Sequence, residues 1–158
     1  AYTAPQRLTS IGVEPYLIVG NLNGVIAQRL VKANCKNCIE EYTPSERVIT
    51  TLGIPRDKKY YRGSGLVDGK TCPVCGGLGT KGRLGIFEVA PLCEYEGWEK
   101  YLDEPFKLRS FFQERGHGDL LDDAKRKMFM GLISPDALLG VLARMEVVLE
   151  EELKKQTQ

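Results

Sequence analysis

"CKNC" at residues 35–38 and "CPVC" at residues 72–75 decide how this chain is read. Two C-x-x-C pairs with residues 39–71 between them fit a four-thiolate zinc site. Each pair makes a tight knuckle whose two sulfurs converge on one metal, and two knuckles complete a tetrahedron. Gly76, directly after the last of these cysteines, suits the tight turn. Cys35, Cys38, Cys72 and Cys75 are therefore the predicted metal ligands. Four thiolates leave no coordination position for water, so the zinc is expected to be structural, closing a long loop and supplying folding free energy. The competing reading is two reduced pairs that never meet. A redox role is disfavoured because neither pair follows a strand and opens a helix in the thioredoxin manner. Cys93 lies outside the pattern and reads as a half-buried free thiol.

The bulk properties leave room for such a module and exclude other classes. A chain of 158 residues is one domain, or one small domain with an appendage, and can bury a core. Its 22 basic and 21 acidic side chains nearly cancel, so no broad basic footprint argues for nucleic acid. No apolar run is long enough to span a membrane, and Ala1–Arg7 lacks the apolar core of a signal peptide. An odd count of five cysteines argues against a disulfide framework and for a reduced, intracellular protein.

Working outward from the cysteines, Val25–Val31 is β-branched, bounded by turn formers and expected to be a buried strand. Upstream, a helix tail from Leu8 stops at Gly12, and Pro15 restarts a short helix. Thr43 and Pro44 predict a helix with a threonine N-cap and proline at its first position, running to Leu52 and stopped by Gly53. Tyr60 and Tyr61 suggest a short strand, and Arg83–Val89 a longer one. After Pro91 the pattern is helical: Trp98, Tyr101 and Leu102, then Leu108, Phe111 and Phe112, then Leu120 to Phe129 with a stop at Gly131. A last helix opens at Ser134-Pro135-Asp136, carries Leu138, Leu139, Val141, Leu142, Met145 and Leu149, and frays over Glu150–Lys155.

"GSGLVDGKTC" at residues 63–72 imitates a phosphate-binding P-loop, with Gly69, Lys70 and Thr71 matching its end. The opening glycine is missing, because Ser64 stands there. A P-loop hands over to a helix whose amides hold phosphate, whereas Thr71 runs into a cysteine knuckle. Lys70 is expected to be a solvated loop lysine. His117, the only histidine, reads as a surface residue in a turn, and Asp122 and Asp123 as first-turn helix charges. Neither H-E-x-x-H nor G-x-S-x-G occurs. No catalytic or cofactor-binding residue is assigned.

Three stretches taken together, "GVEPYLIVGNLNGVIAQRLVKANCKNC", "CPVCGGLGTKGRLGIFEV" and "DDAKRKMFMGLISPDALLGVL", resemble the C-terminal part of the ATPases that power type II secretion and type IV pilus assembly (GspE/PulE/PilB-like). The likeness covers nearly the whole chain. It implies an α/β to α+β fold in three parts. Residues 1–34 would be the last elements of a RecA-like core sheet, 35–90 a tetracysteine zinc module with a returning strand, and 91–158 a C-terminal helical bundle.

The parent would be a hexameric cytoplasmic motor using ATP and magnesium. It would be docked on inner-membrane platform proteins, with its P-loop upstream of this sequence and with no nucleic-acid partner. Gln28 and Arg29 match the family's A-Q-R-L stretch and are expected to be structural. Arg83 and Glu88 match G-R-x-G-I-[FY]-E and are expected to pair in the fold. Two features depart from the family pattern: the "SGLVDGKT" insertion and the aromatic 94–115 segment with Trp98, Tyr101, Phe106, Phe111 and Phe112. The alternative is a stand-alone zinc module for protein contacts, since residues 72–79 also fit the C-x-x-C-x-G-x-G repeat of Hsp40-type chaperones.

Overall fold

The computed structural model describes residues 1–143, and the expected positions of Met145, Leu149 and the fraying end lie outside them. The fold is mixed α/β with small two-stranded sheets. In chain order the elements are α1 (Ala4–Ser10), α2 (Pro15–Asn21), β1 (Val25–Asn34), β2 (Ile39–Tyr42), α3 (Glu46–Leu52), β3 (Tyr60–Gly63), β4 (Leu66–Val67), β5 (Lys70–Thr71) and β6 (Thr80–Ala90). Two 3-10 turns follow (Leu92–Glu94 and Trp98–Tyr101), then α4 (Pro105–Gln113), α5 (Leu120–Phe129) and a helix α6 over residues 135–143. Strand β1 pairs with β6, β2 with β3, and β4 with β5.

Helices α3 and α5 end by one rule. Leu132 N–H reaches Lys127 C=O at 3.0 Å while Gly131 N–H reaches Met128 C=O at 2.9 Å, and Ile54 and Gly53 close α3 in the same way. This is the glycine stop in which two backbone amides satisfy the orphan carbonyls of the last turn. Helix starts are less regular. α3 begins at Glu46 instead of following a Thr43 cap, because Ser45 stays extended at ψ 153° and the first helical bond is Ile49 N–H to Ser45 C=O. The 98–102 aromatic spacing winds as a 3-10 turn, not an α-helix.

Strand β1 runs three residues beyond Val31 and is not buried along its length. Ile26 is 68% exposed and Leu30 50%, with Val31 and Asn34 its buried positions. A two-stranded ladder has no sheet layer to cover its outer face, so the apolar run alone did not establish burial.

The described chain divides into two compact units: residues 1–28 with 86–123, and residues 29–85 with the segment from 124 onward. In the first, Tyr2, Ile18, Leu92, Trp98, Leu108, Phe111 and Phe112 form one core. Phe112, fully buried, meets the rings of Tyr2, Tyr95, Phe111 and His117 at centroid distances of 5.2–5.8 Å. Asp119 caps α5. Its Oδ1 accepts from Leu121 N–H at 2.8 Å and Asp122 N–H at 3.0 Å, and Arg109 donates to its Oδ2. In the second unit Val48, Ile49, Leu52, Tyr60, Met128, Ile133 and Leu138 are buried.

Candidate metal centre

Each knuckle is built by backbone hydrogen bonds before its sulfurs are considered. Cys38 N–H returns to Cys35 C=O at 3.3 Å in the first, and Gly76 N–H returns to Cys72 C=O at 2.8 Å in the second. Gly76 sits at φ 60°, a left-handed conformation that lets the chain double back at little cost. Cross-links then join them: Cys35 N–H donates to Gly79 C=O at 2.9 Å and Cys72 N–H to Gly65 C=O at 2.8 Å.

The result brings all four predicted residues together. Cys35, Cys38, Cys72 and Cys75 are buried, and their Sγ atoms lie within 4.8 Å of one another. The Cys35–Cys72 sulfurs are 3.9 Å apart and the Cys38–Cys75 sulfurs 3.7 Å. A tetrahedral thiolate site with zinc–sulfur bonds of ~2.3 Å has sulfur–sulfur edges of about 3.8 Å, so the donor set fits a metal ion of that kind. None of the four is in a disulfide.

The surroundings favour thiolate character on one side. Asn37 Nδ2 donates to Cys72 Sγ at 3.3 Å, and this bond first, with nearby backbone amides, pulls that thiol down to about 6. Burial pushes the Cys38 thiol up to about 12 in the absence of a cation. A second N–H···S bond runs from Gly79 N–H to Cys75 Sγ at 3.3 Å. Such donors fix ligand orientation around a metal.

The P-loop look-alike has a different structural role. Val67 pairs with Lys70 and Leu66 with Thr71 in an antiparallel hairpin. Asp68 at φ 50° and Gly69 at φ 74° form its two-residue turn, the Asp-Gly pattern of a tight hairpin. No helix begins at Thr71. Gly63 and Gly65 serve close packing: a Cβ on Gly63 would lie 1.9 Å from Gly79 C=O, and one on Gly65 would lie 2.2 Å from Gly77 C=O. Four glycines thus form a seam of backbone on backbone beside the sulfurs.

Asn34 anchors the first knuckle from the other side. Its Nδ2 donates to Gly131 C=O at 2.9 Å and Tyr61 C=O at 3.1 Å. Asn34, Asn37 and the glycine seam were not singled out from sequence. The i, i+2 glycine spacing at 63/65 and 77/79 was the available signal.

The remaining candidates stand as follows. Arg83 and Glu88 do not pair with each other. At odd and even positions of β6 they point to opposite faces; Arg83 is exposed, and the buried Glu88 pairs with the Ala1 ammonium. His117 is half-buried, its Nε2 2.8 Å from Tyr95 Oη, so it belongs to the aromatic core and not to the surface. Asp122 and Asp123 do sit in the first turn of α5. They bond Asp119 N–H and Phe87 N–H. Gln28 and Arg29 are exposed on β1. Cys93 is exposed rather than half-buried.

Comparison with known proteins identifies the family. The profile of the family described as "Type II/IV secretion system protein" matches residues 1–136. The chain is 39% identical over 89 residues to the type IV pilus assembly ATPase PilB of Thermus thermophilus, covering 56% of this chain and 10% of that protein. It is 27% identical over 143 residues to the type II secretion system protein E of Pseudomonas aeruginosa, covering 89% of this chain and 27% of that protein. To the type II secretion system ATPase E of Vibrio cholerae it is 36% identical over 91 residues, covering 56% and 17%. The chain therefore spans about a tenth to a quarter of the length of these curated relatives, and it belongs to the type II/IV secretion system protein family.

Proposed function

We propose that this chain is the C-terminal, zinc-binding portion of a secretion or pilus-assembly motor ATPase. The observation that carries the zinc assignment is the four-sulfur cluster, with edges of 3.7 and 3.9 Å, in a chain of this family. Cys35, Cys38, Cys72 and Cys75 would hold the ion, and with no open ligand position the ion's contribution is to fold and stiffen residues 29–85.

In this reading residues 1–34 are the end of a RecA-like core, 35–90 the tetracysteine module and 91–158 a helical region making subunit or platform contacts. ATP and magnesium chemistry belongs to the upstream half of a hexameric, cytoplasmic parent that reaches the inner membrane through platform proteins. Its support is the naming of the relatives as ATPases and the small share of their length that this chain covers.

Elemental analysis of the purified chain is expected to give one zinc per chain. Cys72→Ser should lose it and Cys93→Ser should keep it. A chain that purifies metal-free and stays folded in chelator would overturn the zinc assignment. The size of the native product, read with an antibody against this region in source-cell extract, tests the motor assignment. A band several times larger than 17.6 kDa supports it, and a band at that size overturns it.

A further inference from the structure

The four sulfur-bearing residues are not equally covered. Cys35 and Cys72 are fully buried, whereas Cys38 and Cys75 are 5% and 6% exposed. Asn37 and Ile39 on either side of Cys38, and Val74 and Gly76 on either side of Cys75, are exposed. The cluster therefore has an inner pair and an outer pair, and the outer pair lies directly beneath the surface. Each pair takes one cysteine from each knuckle. Across the outer pair the sulfurs are 3.7 Å apart.

The protein holds the outer pair in place with hydrogen bonds of its own. Ser64 donates to Cys38 C=O twice, from its N–H at 2.9 Å and from its Oγ at 3.2 Å. Leu78 N–H donates to Cys75 C=O at 3.3 Å, and Gly79 N–H to Cys75 Sγ at 3.3 Å. The two knuckles are thus set side by side by the backbone. A disulfide is about 2.05 Å long, so joining the outer sulfurs takes an approach of about 1.7 Å.

We propose that Cys38 and Cys75 form an oxidation site for small hydroperoxides, whose product is a disulfide linking the two knuckles. One outer sulfur, as thiolate, attacks the distal oxygen of the hydroperoxide. An S–O bond forms, the O–O bond breaks, and the leaving oxyanion takes up a proton. The other outer sulfur, as thiolate, then attacks the sulfenic sulfur. An S–S bond forms, the S–O bond breaks, and the departing hydroxide is protonated to water. In sum, two thiolates, one hydroperoxide and two protons give a disulfide, a water and an alcohol, or a second water where the oxidant is hydrogen peroxide. The sulfurs lose two electrons and the O–O bond gains them.

Two of the four donors are then spent. A closed four-thiolate site cannot survive that loss, so oxidation releases zinc, a consequence that rests on the zinc reading above. The covalent link takes over the junction between the knuckles. Cys35 and Cys72, out of reach behind the outer pair, stay reduced.

Hydrogen peroxide treatment of the zinc-loaded Cys93→Ser chain tests this without interference from the exposed thiol. Trypsin separates the remaining cysteines: Cys35 falls in residues 33–36, Cys38 in 37–47, and Cys72 with Cys75 in 71–81. Peroxide should release one zinc per chain, remove the mass of two hydrogens, and join 37–47 to 71–81 through Cys38 and Cys75. Phosphine reduction followed by added zinc should restore the starting mass and metal content. Amide-exchange protection over residues 39–74 should survive oxidation but not chelation.

A zinc-loaded chain that keeps its metal and mass at a peroxide dose that fully oxidises free cysteine overturns the proposal. So does a link between 33–36 and 37–47, a link through Cys72, or addition of oxygen atoms without a disulfide. Zinc content read before peroxide is added separates the two assignments. A folded, metal-free chain overturns the zinc assignment, and its own disulfide map still decides the oxidation site.

Discussion

Around Phe112 the rings of Tyr2, Tyr95, Phe111 and His117 meet in one apolar core. Around Cys72 there are three other sulfurs, an asparagine amide and glycine backbone. The first unit is held by side-chain area removed from water, which is non-directional and tolerant of small shifts. In the second, residues 63–79 bury little apolar area, and what holds them is directional: hydrogen bonds, a glycine seam and sulfurs at bonding geometry. Dispersed apolar contact fails gradually when weakened. A four-point junction fails as a whole.

With the sulfur cluster closed by zinc as proposed, the sharpest way to break this comparison is chelation. Chelation is expected to abolish amide-exchange protection over residues 29–85. Fluorescence of Trp98, the lone tryptophan and part of the aromatic core, should keep its folded-state maximum. Simultaneous loss of both signals would show that the aromatic unit depends on the sulfur unit.

The converse test is Phe112→Ala. It should cost about 3–5 kcal/mol in chemical denaturation followed at Trp98 and leave the zinc content at one per chain.

Gly63→Ala probes the seam without touching a ligand. Its Cβ would meet Gly79 C=O at 1.9 Å, so a loss of about 3 kcal/mol is expected. It should be accompanied by weaker retention of zinc against a chromophoric chelator. The backbone at Gly63 is not left-handed, so the effect reports the clash alone.

The smallest effect is at Asp119. Burial raises its carboxyl pKa, but amide bonds from Asp122 and Leu121 and the Arg109 guanidinium outweigh burial and hold it below the usual range. A depressed folded value makes the contribution full above the ordinary aspartate pKa and lost as pH falls through the folded one. Asp119→Ala should therefore cost about 1 kcal/mol near neutral pH. The gap between variant and parent in urea midpoint should close under strongly acidic conditions.

What could be read from sequence divides along the same line as the two units. The convergence of the four cysteines and the stops at Gly12, Gly53 and Gly131 were legible because each rests on a local pattern with a local cause. The Asp68-Gly69 turn is equally local, but its glycine and lysine also match the end of a phosphate-loop pattern, which masks the hairpin signal. Burial was not legible. Val25–Val31 has the composition of a covered strand, yet whether anything covers it depends on residues far away in sequence. Asp119 as a cap, Asn37 on Cys72 and the contact of Gly63 with Gly79 are likewise facts of tertiary proximity. Their residue types permit those roles at many positions and specify them at none.

The contrast between Cys93, exposed in the aromatic unit, and four buried sulfurs has a practical consequence. Alkylation stoichiometry becomes a count of occupied modules. A native, metal-closed chain offers a maleimide one reactive thiol, and an opened one offers all five. Intact-mass spectra of briefly labelled protein would resolve the two populations molecule by molecule, and partial occupancy would appear as two peaks rather than as an averaged signal.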